Sequence, residues 1–497
     1  MSYRLAKNAL FLTLASVGQK LLSFVYFLLL ARFLQPEKTG LYALALTLVT
    51  TCAVIADFGI PAVVIRDVAK HPDHARATVR RAVAAKIPFT LASIAAAFTA
   101  ANLLGYEADA KQLVMLAAGI MAADSVSILS YGVLRGLHVL AYEAAGMFVS
   151  QLVTLSVGLL ALQFSPTLPM LVFALTAGSL FNAVLSATRV AKRLGAGALV
   201  PDFRWEGMRG ILSAAFPFFL AAAFVRVYST LDIQFLKAYL GNAAVGIYSV
   251  AYKFTYAFQF LPLSFVAALY PSMSAAVGRK DAQELGRLFD RALRYMLLLS
   301  VPLAFGLSAV SERVVHLVDP SYAAAAPILS VLAFALIPSF LDFPTGSLLN
   351  ASGRQSTKTA LFGATLVVNA GLNFFLVPAY GMMGAASASA LSLVFLVAAG
   401  VRFVPALVPG YTLARAFRLA APIAVSGALM YPVARAAALW KHPSDVLVLG
   451  TAVVVSGVAY VAFLFLTRAV SAEDAAMVRK LFRRSPPAYA EDPAVDA

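Results

Sequence analysis

Charged side chains are scarce in this chain: Asp, Glu, Lys and Arg make up 12% of its 497 residues, against roughly 25% in a soluble domain, and 61% are hydrophobic. That balance excludes a water-soluble fold. Cysteine is nearly absent: Cys52 stands alone, which excludes an internal disulfide and any cysteine-held metal cluster. The five histidines are scattered over loops rather than set at metal-ligand spacing, and neither a P-loop nor a G-x-G-x-x-G turn occurs. A metalloenzyme and an ATP-driven pump in one chain are thereby set aside. Long polar stretches are missing too, apart from a tail from Arg468 to Ala497 that ends Pro-rich and acidic. No segment between apolar runs is large enough to form a soluble catalytic domain.

What is present is a succession of apolar runs. A hydrocarbon layer about 30 Å thick needs roughly 20 apolar residues per helical crossing. Fourteen such runs are readable, near 8–33, 40–62, 82–104, 111–131, 142–164, 168–189, 209–236, 244–270, 293–311, 322–348, 357–378, 384–404, 412–434 and 445–467. The seventh and tenth are the longest and are expected to bend or tilt. Because a backbone in lipid must satisfy its own hydrogen bonds, runs of this length form helices; barrel strands would alternate over about ten residues. The expected fold class is an all-α integral membrane protein.

Topology accounts for the net charge of +16 better than nucleic acid does. With Met1 in the cytoplasm, 29 Lys and Arg fall on that side, while the opposite loops hold 7: Arg32, Lys38, Lys111, Lys237, Arg313, Arg435 and Lys441. The positive-inside rule then places both termini in the cytoplasm, and a missed helix would invert every later loop and destroy the asymmetry. The start, with Arg4 and Lys7 before a long apolar run, lacks a small-residue cleavage site, so the first run is expected to remain as a span.

An internal repeat organises the spans. Gly40, Tyr42 and Ala45 recur as Gly246, Tyr248 and Ala251, 206 residues later, each set where one helix turns into the next outside the membrane. A weaker echo links Gly132, Leu134 and Arg135 to Gly346, Leu348 and Asn350. Six spans per half, both halves starting on the cytoplasmic side, give parallel repeats about an axis along the membrane normal, with the transport path between them. The expected domains are 1–205 for the N-terminal lobe, 206–405 for the C-terminal lobe, 406–467 for two additional helices and 468–497 for a cytoplasmic tail. The charged and apolar stretch from Gly278 to Tyr295 reads as an amphipathic helix on the cytoplasmic face.

Ionisable groups inside a membrane are costly and mark candidate sites. Lys20 in the first span and Arg226 in the seventh are separated by the same 206 residues, so they are expected to face each other across the pseudo-two-fold axis. Two cations at that interface repel unless an anion lies between them, and a phosphate or pyrophosphate suits. The alternative is pairing within each bundle, with Asp124 or Asp232 as partner. Lys253, near the outer start of the eighth span, is a third substrate-binding candidate within snorkelling range of the surface. Candidates for ion coupling are Asp124, Asp232, Asp342, Asn369 and Asn373, the two asparagines lying four apart on one helix face. Their oxygens suit Na⁺ at Asp232, Asn369 and Asn373, or a carboxylate takes up H⁺; structural roles compete at each position. Asp57 reads as a helix end, and Asp342, between Pro338 and Pro344, as the mark of a broken helix. The aromatics Phe216, Phe218, Phe219, Tyr252, Phe254, Tyr256, Phe258 and Phe260 suit sugar stacking, although packed or lipid-facing roles are the commoner use of such rings.

Four short motifs carry a resemblance: Leu34-Gln35-Pro36-Glu37-Lys38-Thr39-Gly40-Leu41-Tyr42, Ala56-Asp57-Phe58-Gly59-Ile60, Leu134-Arg135-Gly136 and Gly246-Ile247-Tyr248-Ser249-Val250-Ala251-Tyr252-Lys253. In this order on a fourteen-span frame, the chain resembles the oligosaccharide-lipid flippase branch of the multidrug/oligosaccharidyl-lipid/polysaccharide exporter superfamily. Lys38-Thr39 stands where an acidic residue and an aromatic are usual. The resemblance implies a two-lobed, V-shaped transporter of the cytoplasmic (inner) membrane, with no covalent chemistry and no cofactor beyond a coupling ion, Na⁺ or H⁺. It implies translocation of a polyprenyl-pyrophosphate-linked oligosaccharide to the outer leaflet by alternating access for surface polysaccharide biosynthesis. Lys20 and Arg226 match the cationic cavity of such relatives in character, and Asp232, Asn369 and Asn373 match their coupling helices. Implied partners are membrane lipids and other polysaccharide-assembly membrane proteins, with no nucleic acid. Three rivals stand: a cation-coupled drug antiporter with an acidic cavity, a lipid II flippase, and a membrane-embedded polymerase or glycosyltransferase, for which the outer loops are short.

Overall fold

The computed structural model describes residues 2–442 and 444–470, and all regular structure among them is helical. Past Val470 the expected tail lies outside the described residues. Eleven helices are long and apolar enough to cross a membrane, and two of them contain a break that makes each a pair of passes. One break is at Gln35 (φ 62°, ψ 169°), where Pro36 starts the next helix with a ring that excludes the preceding residue from helical geometry. The other is at Gly381 (φ 58°). Residues 242–278, interrupted by a 3-10 turn at Ala257–Gln259, bring the passes to fourteen.

Two readings of the sequence need correction. The stretch from Gly278 to Tyr295 is an amphipathic helix from Ala282 on, but it is continuous with the ninth span, which runs Ala282–Val318 rather than 293–311. Its apolar face, with Leu285, Phe289 and Leu293, packs on Val404, Val408 and Tyr411, while Asp290 pairs with Arg415. The tenth span, Ala325–Ala351, is one uninterrupted helix, with Pro338 and Pro344 both inside it. Asp342 therefore marks no helix break.

The second span does break, at its basic-face end. Phe58 (φ 42°) and Gly59 (φ 70°) end one helix, and Ile60–Lys70 continues in a new direction. Helices Leu413–Ala438 and Asp445–Leu466 pack against the ninth span. Arg313 reaches Asp445 at 2.9 Å and Arg435 reaches Glu312 at 2.9 Å, so both helices are tied to the second repeat.

At the face opposite the chain termini, the two repeats meet backbone to backbone. A Cβ on Gly40 would lie 1.8 Å from the carbonyl oxygen of Asn242, and one on Gly246 would lie 2.0 Å from that of Pro36. Each contact is the other displaced by the 206-residue offset, and the turns that deliver them, Gln35 and Gly241 (φ 82°), obey the same offset. The sequence repeat is thus a self-complementary contact about the pseudo-two-fold axis. Thr39 to the Tyr322 hydroxyl at 2.8 Å and Tyr106 to Gln234 at 2.6 Å extend the seal.

An ion pair completes this face. Lys237 donates to Glu107 at 2.9 Å, and this hydrogen bond, together with the lysine charge, holds the Glu107 carboxyl below its usual range. A carboxyl depressed in the sealed state stabilises that state above its ordinary value, about 4.3, and releases it as pH falls through the depressed one. Acidifying the medium at this face is therefore expected to favour separation of the repeats. Because Glu107 is exposed, the open-to-sealed ratio should change by no more than about fivefold. Spin-label distances across the seal, titrated in the native chain and in Glu107→Gln, check this; an equal pH response in both would remove the pair from the account.

Candidate functional site

A chamber of about 670 Å³ lies mostly within the second repeat, against the second span of the first. Its wall is built mainly by the seventh, eighth, tenth, eleventh and twelfth spans, with Val54 and Asp57 of the second span facing them. At the basic-face end, Phe58 stacks between Phe89 at 4.2 Å and Phe219 of the seventh span at 4.7 Å. A Cβ on Gly59 would meet the Ala215 carbonyl oxygen at 2.4 Å. Phe219, one of the aromatics suited to sugar stacking, is thus packed on the Phe58-Gly59 turn, whereas Tyr252 and Tyr256 line the chamber wall.

Arg226 lines the chamber and, among the described residues, has no salt-bridge partner. A guanidinium left unpaired inside a membrane protein faces a wet cavity or a ligand. Lys20 is not part of the wall; its ammonium lies 6.0 Å from the ring of Tyr256, which is. Lys253 also stands outside the wall, 5.2 Å from the ring of Phe27 on the first span. The two lysines thus cross between repeats onto aromatic faces, and Tyr256 is the link from Lys20 to the chamber that Arg226 occupies.

Asp232 of the seventh span converges with Asn369 and Asn373, both of the eleventh. Asp232 is 7% exposed and both asparagines are fully buried. The carboxylate accepts from Tyr248 at 2.8 Å, from the Asn373 amide at 2.8 Å, from the Asn369 amide at 3.4 Å and from Ser389. No cation balances it: Asp232 pairs with neither Arg226 nor any other base among the described residues. The Oδ1 atoms of both asparagines find no donor among the described residues. A half-turn of either amide presents its oxygen toward Asp232, an arrangement that a cation between them or a proton on the carboxyl would stabilise.

The remaining acidic candidates lie elsewhere. Asp124 belongs to the first repeat and is not part of the chamber wall. Asp342 does line the chamber, but it is paired with Lys358, as Asp57 is with Lys86 at 2.9 Å. Both lysines are well covered and lie toward the basic-face ends of their spans. Their role escapes sequence reading because positive charge is expected at that end of a span in any case. Ser389 escapes for a different reason: it is one small residue in a run of alanine and serine, and nothing but the fold aims its hydroxyl.

Known proteins share this architecture. Residues 5–277 match the family described as "Polysaccharide biosynthesis protein", and residues 217–375 match the family MatE. The probable low-salt glycan biosynthesis flippase Agl15 of Haloferax volcanii is 21% identical over 389 residues, 78% of this chain and 81% of that protein. A structure of the lipid II flippase MurJ in an inward closed conformation superposes with a TM-score of 0.72 at 14% identity, over 95% of this chain and 99% of that one. An inward-facing multidrug resistance transporter of the MATE family gives 0.58 at 14%, over 81% and 96%. At such identities the structural likeness speaks for the fold, the V-shaped arrangement of two six-helix lobes with two further helices. The first family match spans more than half of the residues. The chain belongs to the polysaccharide biosynthesis protein family, in the oligosaccharide-lipid flippase branch of the multidrug/oligosaccharidyl-lipid/polysaccharide exporter superfamily, and is a transporter rather than an enzyme.

Proposed function

We propose that this chain moves a polyprenyl-pyrophosphate-linked oligosaccharide across the cytoplasmic membrane by alternating access, from the basic face, which is cytoplasmic, to the opposite leaflet. The observation that carries this reading is Arg226, without a salt-bridge partner among the described residues, in the wall of a chamber of the second repeat that Val54 and Asp57 of the first also line. A guanidinium in a low-dielectric chamber is a natural bidentate partner for a phosphate. Sealing by a self-complementary contact at one face, and by the Phe58-Gly59 turn at the other, supplies two gates related to the same chamber. The basic-face lysines and arginines agree with a cytoplasmic position for both termini.

Asp232, Asn369 and Asn373, with the Ser389 and Tyr248 hydroxyls, are the residues suited to hold a coupling Na⁺. The set is all oxygen, contains one carboxylate and includes two amide oxygens without donors, which fits a hard cation. Such an ion would neutralise Asp232, a buried carboxylate with no basic partner among the described residues; a proton on Asp232 would do the same.

A second reading has a specific observation in its favour. Three carboxylates, Asp57, Asp232 and Asp342, line the chamber, and an exporter of organic cations would use an acidic cavity. Lys86 and Lys358 neutralise two of them, which leaves Arg226 and Asp232 as the wall charges without a salt-bridge partner among the described residues. The deciding experiment is translocation of a fluorescent polyprenyl-pyrophosphate oligosaccharide in proteoliposomes. The native chain is expected to move it, and Arg226→Ala to slow movement at least about tenfold, the loss of one charged hydrogen-bond partner. No movement, together with extrusion of an organic cation such as ethidium, would replace this reading with the drug antiporter.

A further inference from the structure

The chamber wall distributes its charges unevenly. Asp57 and Asp342 are wall residues; Lys86 and Lys358, their partners, are not. The Lys86 side chain is 5% exposed against 34% for Asp57, so the pair turns its carboxylate toward the open space and keeps its ammonium behind. The two pairs come from different repeats, Lys86 and Asp57 from the first and Lys358 and Asp342 from the second. Lys358 is fixed further by the Phe362 ring, 4.4 Å from its ammonium, and Phe362 also belongs to the wall. A carboxylate backed by a buried lysine stays ionised and fixed in place, with oxygen lone pairs left over for other donors.

The same wall offers aromatic faces and hydroxyls, including Tyr228, Tyr252, Tyr256 and Ser339. Fixed carboxylates accept hydrogen bonds from neighbouring hydroxyls of a sugar, and aromatic faces cover its apolar C–H surface. Ionised and acceptor-only, the same carboxylates offer no hydrogen bond to a carboxylate or phosphate carried by the sugar itself. Only Arg226 offers the wall's free positive charge, and one guanidinium serves the pyrophosphate.

We infer that Asp57 and Asp342 are specificity-determining residues that bind sugar hydroxyls, so that the glycan carried by this protein is uncharged and its negative charge is confined to the lipid pyrophosphate. This rests on the reading of the chain as a flippase for pyrophosphate-linked glycans and adds to it the chemical class of the head group. Arg226 takes the pyrophosphate, and the two carboxylates of opposite repeats take the sugars.

The test compares the affinity of the purified full chain for three probes: polyprenyl pyrophosphate without sugar, the same lipid bearing a neutral hexose disaccharide, and the same lipid bearing a disaccharide with one uronic acid. The native chain is expected to bind the neutral glycolipid about tenfold more tightly than the uronic one, the size of one charged hydrogen bond lost. Asp57→Asn leaves Lys86 buried and unpaired and threatens the fold, so the informative variants remove both charges of a pair: Asp57→Asn with Lys86→Met, and Asp342→Asn with Lys358→Met. Each is expected to reduce the discrimination to about twofold. Equal or tighter binding of the uronic glycolipid by the native chain, or discrimination unchanged in both double variants, overturns the inference. If the native chain binds none of the three lipids, or if Arg226→Ala leaves all three affinities unchanged, the flippase reading itself falls.

Discussion

One added methyl group, at Gly40 or at Gly246, is expected to open the seal opposite the termini and to stop transport. The Cβ of Gly40→Ala would sit 1.8 Å from the Asn242 carbonyl oxygen, and that of Gly246→Ala 2.0 Å from the Pro36 oxygen. Both obstacles are backbone at the first turn of a helix, so relief requires separating the helices rather than turning a side chain. Overpacking of ordinary interiors costs about 1–3 kcal/mol, and the sealed state should lose at least about tenfold in population relative to the open one. Because Cys52 is the only cysteine, a Cys52→Ser chain with Ser339→Cys on the chamber wall provides a single reporter. A membrane-impermeant maleimide applied at the sealed face should label it slowly in the parent and at least about tenfold faster after Gly40→Ala. Unchanged labelling in both alanine variants would show that the repeats do not need this contact to close.

The second large effect is at Asp232. Replacing it by asparagine keeps the shape, removes the charge and leaves Asn369, Asn373, Ser389 and Tyr248 facing a neutral amide. Folding is expected to survive, since the carboxylate has no basic partner to be stranded. Sodium chloride at one hundred times the site's dissociation constant would stabilise the native chain by about 2.7 kcal/mol over choline chloride, and this increment should vanish in Asp232→Asn. A sodium gradient should then cease to drive translocation in proteoliposomes. If sodium has no effect on the native chain but a proton gradient drives it, and Asp232→Asn abolishes that drive, the site takes a proton instead. Equal sodium stabilisation of native and variant would remove Asp232 from coupling.

Much of the architecture was legible before any coordinate, for reasons that are easily named. A bilayer demands about 20 apolar residues per pass, so the crossings announce themselves, and the bias of Lys and Arg checks their number. The 206-residue offset was readable because a backbone-to-backbone contact tolerates only glycine, so both copies of Gly40 and Gly246 carry the same residue. Element lengths were less legible. The ninth span looked short because Arg279 to Arg294 interrupt its hydropathy, although the helix itself continues and spends that part of its length packed on the segment around Val408.

The candidate site divides along a similar line. Asp232, Asn369 and Asn373 could be named as unusual polar residues in apolar runs, because a membrane makes any such residue conspicuous. Lys86 and Lys358 could not, since they sit where loop lysines are common. Their partners Asp57 and Asp342 lie 29 and 16 positions away in sequence. Ser389, 157 positions from Asp232, carries no signal of its own.

By itself, then, the amino-acid order determined the class of molecule, the number of passes and the existence of two equivalent halves, since these follow from local hydropathy, charge bias and repetition along the chain. Only the tertiary structure decided which charges are free and which are paired. It left Arg226 open to the chamber, set Lys86 and Lys358 off the chamber wall against their carboxylates, and closed a ring of hydroxyl and amide groups around Asp232. The physical reason is that the cost of a charge in a membrane depends on its neighbours within a few ångströms, and those neighbours come from spans that the sequence places far apart.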